Sequence, residues 1–284
     1  MIVCKNCGML YLNPNRSDNP NGYLKSTAPH PYNIYGFSKV FYGIQRGKMA
    51  NDRNGERYMT IDKIARIHTD FPTKFGIPRQ SGLVKELAGT VIFEPKYRNP
   101  DAVRGLEEFS HIWLIWEFSE SARDTWSPTV RPPRLGGNTR KGVFATRSPF
   151  RPNPIGLSCV RLEKIEILPE YGPVLHVTGA DLMDGTPILD IKPYVPHSDS
   201  YPEADGGFAS RHREDKLEVE FPQELEEIVP EDKRAALRGV LANDPRPAYQ
   251  NDPERVYGFG FAGMEIRFTV REGCLTVCEV VPQV

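Results

Sequence analysis

The sequence has no long apolar run, and this absence narrows the class of protein. No stretch of its 284 residues is apolar enough to cross a bilayer, and the N-terminus lacks the apolar core of a signal peptide. Cysteine is scarce, with 5 residues, and an odd, scattered set favours free thiols over a disulfide framework. We therefore expect a cytoplasmic protein with no membrane partner.

The net charge is also close to zero, at −1, which by itself does not point to a nucleic-acid-binding protein. The charge is unevenly placed, however. The segment Glu214–Asp232 is rich in acids, whereas Arg131–Arg161 contains seven Lys and Arg residues and no Asp or Glu. A local basic face can bind a polyanion although the whole chain is nearly neutral.

Two common enzyme motifs are missing, since the chain has neither a P-loop nor a nucleophile elbow. Gly258, Gly260 and Gly263 do match G-x-G-x-x-G. A dinucleotide site needs a helix after this motif, but Glu265–Val270 alternates with the period of a strand. The glycines are therefore predicted to serve a hairpin turn, and the motif does not indicate a Rossmann domain.

The basic run Arg131–Arg161 is the least ordinary part of the sequence. Five prolines break it into stiff pieces, and its guanidinium groups match carboxylate and phosphate geometry. An anion site and a solvated basic loop both fit this composition. Apolar residues then alternate from Ile155 through Cys159 and continue to Ile167, which predicts a strand. We expect the arginines to lie at the mouth of a β-structure.

The first 57 residues are rich in Asn, Gly, Pro and Tyr and show no regular period. Cys4 and Cys7 form half of a zinc knuckle, but no second pair follows nearby, so no metal site is predicted. An irregular extension is the alternative. Met59 is then a candidate start of the functional protein.

The centre of the chain alternates between predicted strands and shaped loops. The predicted strands are Ile61–His68, Ala88–Phe93, His111–Phe118, the strand from Ile155, Pro173–Val177, and Ile188–Tyr194, which returns after an Asp184-Gly185 hairpin turn. Asn99 with Pro100 predicts a helix start. Phe75–Leu83 is either a shaped loop with Arg79 and Gln80 at its polar tip or a plain turn.

Toward the C-terminus, Tyr201–Asp215 is predicted to be a linker and Pro230–Ala242 a helix. The apolar face of this helix is assigned to Ala235, Leu237, Val240 and Leu241, and three strands follow at Arg255–Phe261, Met264–Val270 and Leu275–Val281.

Two polar residues in the central part of the chain are candidate site residues. Asp181 is a better ligand-facing candidate than the turn residue Asp184. His111 is either a ligand contact or an internally satisfied histidine.

Several strings together resemble one protein family. They are FGIPRQSGL from Phe75, GLEEFSHIWLIWEF from Gly105, PRLGG and GVFATRSPFRPNPIGLS between Pro133 and Ser158, ADLMDGTPILDIKPYVP from Ala180, and DPRPAY from Asp244. These are similar to the TsaA-like (TrmO) family of tRNA methyltransferases, from about Ile61 to the C-terminus. The last string resembles the longer, bacterial-type members.

The resemblance implies a mainly β fold, with a single-sheet TsaA-like β-barrel over 58–200 and a small α+β C-terminal domain over 201–284. Residues 1–57 lie outside the resemblance, and their composition predicts an irregular N-terminal extension. It further implies a homodimer that uses S-adenosyl-L-methionine (SAM) to methylate N6 of threonylcarbamoyl-adenosine beside the anticodon, so that the anticodon loop of tRNA is the expected partner.

The resemblance also implies a set of site residues. The cofactor contacts it implies are Ser81, Gly82, Leu83, Ser119, Glu120, Arg147, Leu157, Thr178, Gly179, Ala180 and Asp181. Residues expected to contact RNA, or to bind the threonyl carboxylate, are Arg131, Arg134, Arg140, Arg151 and Arg246. Asp181 or His111 is expected to accept the proton that leaves the acceptor nitrogen.

Three other functions stay open at this point. The chain is alternatively a SAM-dependent enzyme with another acceptor, a non-catalytic module that binds SAM or RNA, or an RNA-binding barrel without a cofactor. Composition does not separate these alternatives, whereas the family strings favour the tRNA methyltransferase.

Overall fold

The structure is a computed structural model. It describes residues 60–121, 126–132, 135, 139–211, 216–246, 250 and 252–283, and the backbone of four short N-terminal strands. The chain forms two compact units, Met1–Met59 and Thr60–Val284. In the first unit, β1 (Ile2–Val3) pairs with β2 (Leu10–Tyr11), and β3 (Met49–Asn51) pairs with β4 (Arg57–Met59). Cys4, Cys7 and Arg134 lie outside the described residues.

The second unit begins with eight strands. They are β5 (Ala65–Thr69), β6 (Ala88–Phe93), β7 (His111–Glu117), β8 (Thr129–Val130), β9 (Lys141–Gly142), β10 (Ile155–Leu168), β11 (Gly172–Thr178) and β12 (Thr186–Pro193). Short 3-10 helices lie at Pro95–Tyr97, Pro100–Val103, Leu106–Glu108, Ser119–Ser121 and Val143–Ala145. Six of the strands close into one barrel in the order β10-β11-β6-β5-β12-β7, whereas β8 and β9 pair separately.

Alternation along the strands fills the barrel, because successive side chains of a strand point to opposite faces. Its interior holds fully buried residues such as Ile67, Val91, Leu114 and Leu175. The mainly β fold with a single-sheet barrel is therefore confirmed. The predicted strands Ala88–Phe93, His111–Phe118 and Pro173–Val177 are also confirmed, to within one residue at each end.

Three predictions for this region need correction. The first strand begins at Ala65, and Ile61 is 51% exposed. The helix start at Asn99 is present, but only 3-10 turns follow, because Gly105 has φ +83 and interrupts the run. The Asp184-Gly185 turn does not connect two strands that pair with each other as a hairpin. The strand after it, β12, pairs with β5 and β7.

The rest of the unit is α+β, as predicted. Its elements are α1 (Pro196–Asp199), α2 (Phe208–Arg211), β13 (Glu218–Glu220), α3 (Gln223–Glu226), α4 (Glu231–Ala242), β14 (Tyr257–Phe261), β15 (Met264–Arg271) and β16 (Cys274–Pro282). The sheet order is β13-β16-β15-β14, and β13 runs parallel to β16. The helix and the last three strands are confirmed, and the glycine motif does lie in the β14–β15 hairpin.

Two details of this part differ from the sequence prediction. Ala235 of α4 is exposed, and Ala236 takes its place on the buried face. The predicted linker contains α2. The domain boundaries at 57 and 200 stay predictions.

The core of the C-terminal sheet is completed by residues from the loop between β5 and β6. Phe71, Val84 and Leu87 are at most 2% exposed and belong to the same apolar cluster as Leu237 and Phe261. The ring centroids of Phe71 and Phe261 lie 5.3 Å apart. The C-terminal sheet and helix therefore hold this loop in place, and the same loop reaches the candidate site.

Candidate active site

A cavity of about 520 Å³ lies at the end of the barrel where β7 finishes and β10 begins. Its volume is in the range of small-molecule sites. Its charged lining residues are Lys74, Arg79, Glu117, Glu120, Arg147, Arg151 and Asp181. Its walls between these charges are largely apolar, with Ile77, Trp116, Phe118, Leu157 and Leu182 among them. The cavity thus offers both charge signs beside flat apolar surface.

Asp181 is fixed in this cavity by a chain of hydrogen bonds. The Ser158 hydroxyl donates to Asp181 Oδ1 at 2.6 Å, and Trp116 Nε1 donates to Ser158 Oγ at 3.0 Å. Ser158 is fully buried, with 0% of its surface exposed. Because Trp116 donates to Ser158 and Ser158 donates to Asp181, the Asp181 carboxylate has a defined orientation.

The environment of Asp181 makes it a stronger base than an ordinary aspartate. Burial raises the pKa of its carboxyl, since the charged form is disfavoured away from water. The hydrogen bond from Ser158, backbone hydrogen bonds and the positive charge of Arg147 lower the pKa, but only partly offset the effect of burial. A carboxylate tuned in this way is suited to accept a proton from a bound ligand.

Ser158 and Trp116 were missed by the sequence analysis, although a signal was present. On β10 the large apolar residues Ile155 and Leu157 point outward and are 39% and 49% exposed. The small residues Gly156 and Ser158 point inward. Gly156 lies against the Trp116 ring, where a Cβ would come 2.3 Å from Cε2. A glycine inside a strand often marks a place where a ligand or another group approaches closely, and Gly156 was such a signal.

The cofactor residues expected from the resemblance fall into two layers. Ser119, Glu120, Arg147, Leu157 and Asp181 line the cavity. The others, Ser81, Gly82, Leu83, Thr178, Gly179 and Ala180, do not appear in its lining. Instead, the Gly82 amide donates to the Gly179 carbonyl at 2.9 Å, and Ser81 Oγ accepts from the Cys159 amide at 3.2 Å. The first bond joins the loop at Gly82 to the turn at Gly179, and the second anchors the same loop to β10.

Arg79 and Gln80, the polar tip of the loop that precedes Ser81, do line the cavity. Arg147 Nη1 donates to Gln80 Oε1. Arg151 lies beside them and donates to the Thr146 carbonyl at 2.6 Å, which braces the turn that follows β9. Arginine side chains from two separate loops are therefore held at one wall of the cavity.

That wall separates the cavity from a larger groove of about 1350 Å³. Both are lined by Arg79, Gln80, Thr146, Arg147 and Pro149. The groove also contains Arg131 and Arg140 of the basic run. Arg131 and Arg140, two of the arginines expected to contact RNA, thus lie in the groove next to the cavity. A third, Arg151, lines the cavity itself.

The remaining candidates lie elsewhere. His111 is at the opposite end of β7, roughly 20 Å along the strand from Glu117, and its Nδ1 lies 2.9 Å from Ser110 Oγ. The side chain of Arg246 is 11% exposed, and its guanidinium donates to both carboxylate oxygens of Asp244 at 2.8 Å. Neither residue lines the cavity or the groove.

The protein is a closed β-barrel with a cavity of small-molecule size, which is lined by charged residues and adjoins a basic groove. Its class is therefore that of barrels that can bind a small ligand and a polyanion at adjoining sites.

Comparisons with known proteins give the family. The model of the tRNA-methyltransferase O N-terminal domain matches residues 66–200, and that of the TrmO C-terminal domain matches residues 214–283. A tRNA (adenine(37)-N6)-methyltransferase of Escherichia coli K12 is 41% identical over 78% of this chain and 98% of its own length. The chain belongs to the tRNA-methyltransferase O family.

Two further comparisons agree with this. A putative S-adenosylmethionine-dependent methyltransferase, RcsF, of Pseudomonas aeruginosa is 40% identical over 74% of this chain and 91% of its own length. A crystal structure of TrmO from Pseudomonas aeruginosa superposes with a TM-score of 0.63 at 32% identity, covering 79% of this chain and 99% of that one.

Proposed function

We propose that this chain is a SAM-dependent methyltransferase that acts on N6 of adenosine 37 in tRNA, with threonylcarbamoyl-adenosine as the substrate. The observation that carries the proposal is the junction of the two sites: the cavity that holds the half-buried Asp181 meets the basic groove at Arg147. The family and the relatives named above support the same activity.

The donor set of the cavity suits SAM. A SAM molecule carries one carboxylate, an ammonium, a cationic sulfonium and a flat adenine. Arg147 and Arg79 can bind the carboxylate, and Glu117 and Glu120 attract the cationic groups. The rings of Trp116 and Phe118, whose centroids lie 4.2 Å apart, offer apolar surface for the adenine.

The cofactor contacts that we propose combine both layers of the site. Ser119, Glu120, Arg147, Leu157 and Asp181 contact SAM directly, because they line the cavity. The other expected residues shape the loops from behind. Gly82 and Gly179, with φ +75 and +78, allow these two loops to approach each other closely.

SAM, when bound, supplies the methyl group, and the chain aligns the acceptor and manages its proton. N6 of a carbamoylated adenosine is a weak nucleophile and must lose its proton. We propose that Asp181 accepts this proton, since burial makes it a stronger base and Ser158 fixes its orientation. His111 is not retained in this role because of its distance from the cavity. Asp181→Asn with unchanged turnover would refute the assignment.

The threonyl group of the substrate carries a carboxylate of its own. Arg151 lines the cavity near the shared wall and is our candidate to bind it. Arg151 Nη1 already donates to the Thr146 carbonyl, so its other N–H groups would bind the threonyl carboxylate. Unmodified adenosine would lack this contact and would be disfavoured. Arg131 and Arg140 would then contact the phosphates of the anticodon loop.

We further propose a homodimer that works in the cytoplasm, where tRNA is modified. Ile155 and Leu157 of β10 are exposed apolar residues at the rim of the cavity, so a second copy seated on this rim would lie close to the bound cofactor. Replacing Leu157 with Asp should reduce the sedimenting mass by half if this face is the interface. Among the residues that the structure describes, no helix is long and apolar enough to cross a membrane.

The activity is tested by methyl transfer from labelled SAM to two tRNA samples, one with and one without threonylcarbamoyl-adenosine. Label only in the modified sample is expected. Label in both samples would point to another acceptor. SAM binding without any transfer would instead favour a non-catalytic module.

A further inference from the structure

Three aromatic side chains are exposed along the groove, although aromatic rings are costly to leave in water. Trp126, Phe144 and Phe150 are 52%, 72% and 37% exposed, and all three line the groove. Trp126 and Phe144 stack with ring centroids 6.3 Å apart and an interplanar angle of 29°. Two rings inclined at 29° to each other thus face the groove with more than half of each residue's surface exposed.

The backbone holds Phe144 in this exposed position. Phe144 is the middle residue of the 3-10 turn Val143–Ala145, whose Val143 side chain is buried. Arg151 donates to the Thr146 carbonyl at 2.6 Å, and its guanidinium carbon lies 5.9 Å from the centroid of the Phe144 ring. The ring is therefore presented by a braced turn and carries a cation on one side.

The charge around these rings has one sign. Among the described residues that line the groove, four are arginines, Arg79, Arg131, Arg140 and Arg147, and none is Asp or Glu. Phe208 and Ala209, which follow the barrel in the chain, line it as well. Flat apolar rings among guanidinium groups suit a ligand with stacked bases on a negative backbone, which is single-stranded nucleic acid.

We infer that Trp126 and Phe144 form a stacking platform for an unpaired RNA base next to the one delivered to the cavity. The groove and the cavity share the wall of Arg147 and Gln80, so a nucleotide on the platform adjoins the reacting one. The platform would hold the splayed loop while the target base enters the cavity. This inference rests on the proposed function.

The test measures RNA binding separately from methyl transfer. A fluorescent anticodon stem-loop RNA is titrated against wild type, Trp126→Ala and Phe144→Ala by anisotropy, and SAM binding is measured by calorimetry. Each alanine variant should weaken RNA binding by about five- to 150-fold, the loss typical of one stacked base. SAM affinity should not change. Trp126→Phe and Phe144→Trp should bind RNA nearly as well as wild type.

A matched control lies at the far end of the barrel. Tyr171 also has an arginine over its ring, with Arg98 at 5.5 Å from the centroid, and it sits in the β10–β11 turn away from the groove. Tyr171→Ala should leave RNA affinity unchanged. The salt dependence of binding should also stay unchanged in Trp126→Ala, because that slope counts phosphate contacts and not stacking.

The possible outcomes separate the platform from the proposed function. Unchanged RNA affinity in both alanine variants overturns the platform, even when wild type methylates tRNA. Weakened RNA binding supports it, even when wild type transfers no methyl group. A smaller sedimenting mass for Trp126→Ala also overturns it, because these rings would then be covered by a second copy of the chain.

Discussion

Gly239 of α4 faces Val84 of the β5–β6 loop so closely that a Cβ at Gly239 would lie 2.6 Å from Val84 Cγ1. The same loop carries Arg79 and Gln80 into the cavity. A second contact joins the two regions, since Lys233 Nζ of α4 lies 2.8 Å from Asp70 Oδ2. The C-terminal helix therefore sets the position of a loop that forms the candidate cofactor site.

We predict that Gly239→Ala weakens SAM binding although Gly239 does not line the cavity. The added methyl group must displace Val84, a stiff β-branched residue, and overpacking of this kind costs about 1–3 kcal/mol. Calorimetry with SAM and thermal unfolding measure the two effects. Val84→Ala in the same chain should recover part of both losses, since it removes the group that clashes. A lower Tm with unchanged SAM affinity would show that the loop keeps its position.

The second prediction concerns pH. The rate of methyl transfer should rise with pH as Asp181 loses its proton, and the midpoint should lie above the ordinary aspartate pKa, because burial raises the pKa of Asp181. Ser158 donates to the charged form and so lowers this pKa. Ser158→Ala should therefore shift the midpoint to higher pH, and Trp116→Phe should shift it less. A midpoint that moves in neither variant would remove Asp181 as the proton acceptor.

A third prediction separates phosphate contacts from other arginines. Arg131→Ala and Arg140→Ala should each flatten the dependence of log K for tRNA on log salt by about 0.7–0.9 per lost phosphate contact. Arg267→Ala is the matched control, because Arg267 pairs with Glu279 at 2.8 Å on the C-terminal sheet. If Arg267→Ala flattens this slope equally, the arginines of the groove contribute no more to RNA binding than an arginine of the C-terminal sheet.

The fourth prediction assigns Arg246 a structural role. Its guanidinium is bound by Asp244 and lies 6.0 Å from the centroid of the Tyr257 ring. Arg246→Ala should lower the free energy of unfolding by about 1.5–3 kcal/mol, as expected for lost hydrogen bonds to a charged group. The salt dependence of tRNA binding should stay at the wild-type value. A flatter slope in a stably folded variant would instead place Arg246 on the RNA.

Much of the local structure could be predicted from the sequence, because it depends on neighbours along the chain. The apolar run His111–Phe118 predicted β7, and the Asn99 cap predicted the helix start at Pro100, where a 3-10 turn forms. The strand after Gly258 excluded a dinucleotide site. The ends of strands and the buried face of a helix were harder to predict. The exposure of Ile61 and the burial of Ala236 in α4 depend on packing partners from other segments.

The family strings likewise pointed to Asp181, Arg147 and Leu157, which do line the cavity. The strings do not distinguish residues in the lining from residues behind it. The pairing of β10 with β7 brings Ser158 within reach of Trp116, 42 residues away in the chain. The pairing of β10 with β11 brings it within reach of Asp181, 23 residues away. Long-range contacts of this kind leave little trace in local periodicity.

The sequence by itself determined the secondary-structure types, the family and the basic character of the segment around the site, because composition, period and motif are local properties. The tertiary structure alone decided which arginines share a wall, that Asp244 binds the Arg246 guanidinium, and that His111 lies at the end of β7 away from the cavity. It also decided that the C-terminal helix holds the loop that carries Arg79 and Gln80 into the cavity. These facts follow from barrel closure and core packing, which join residues that are distant in the chain.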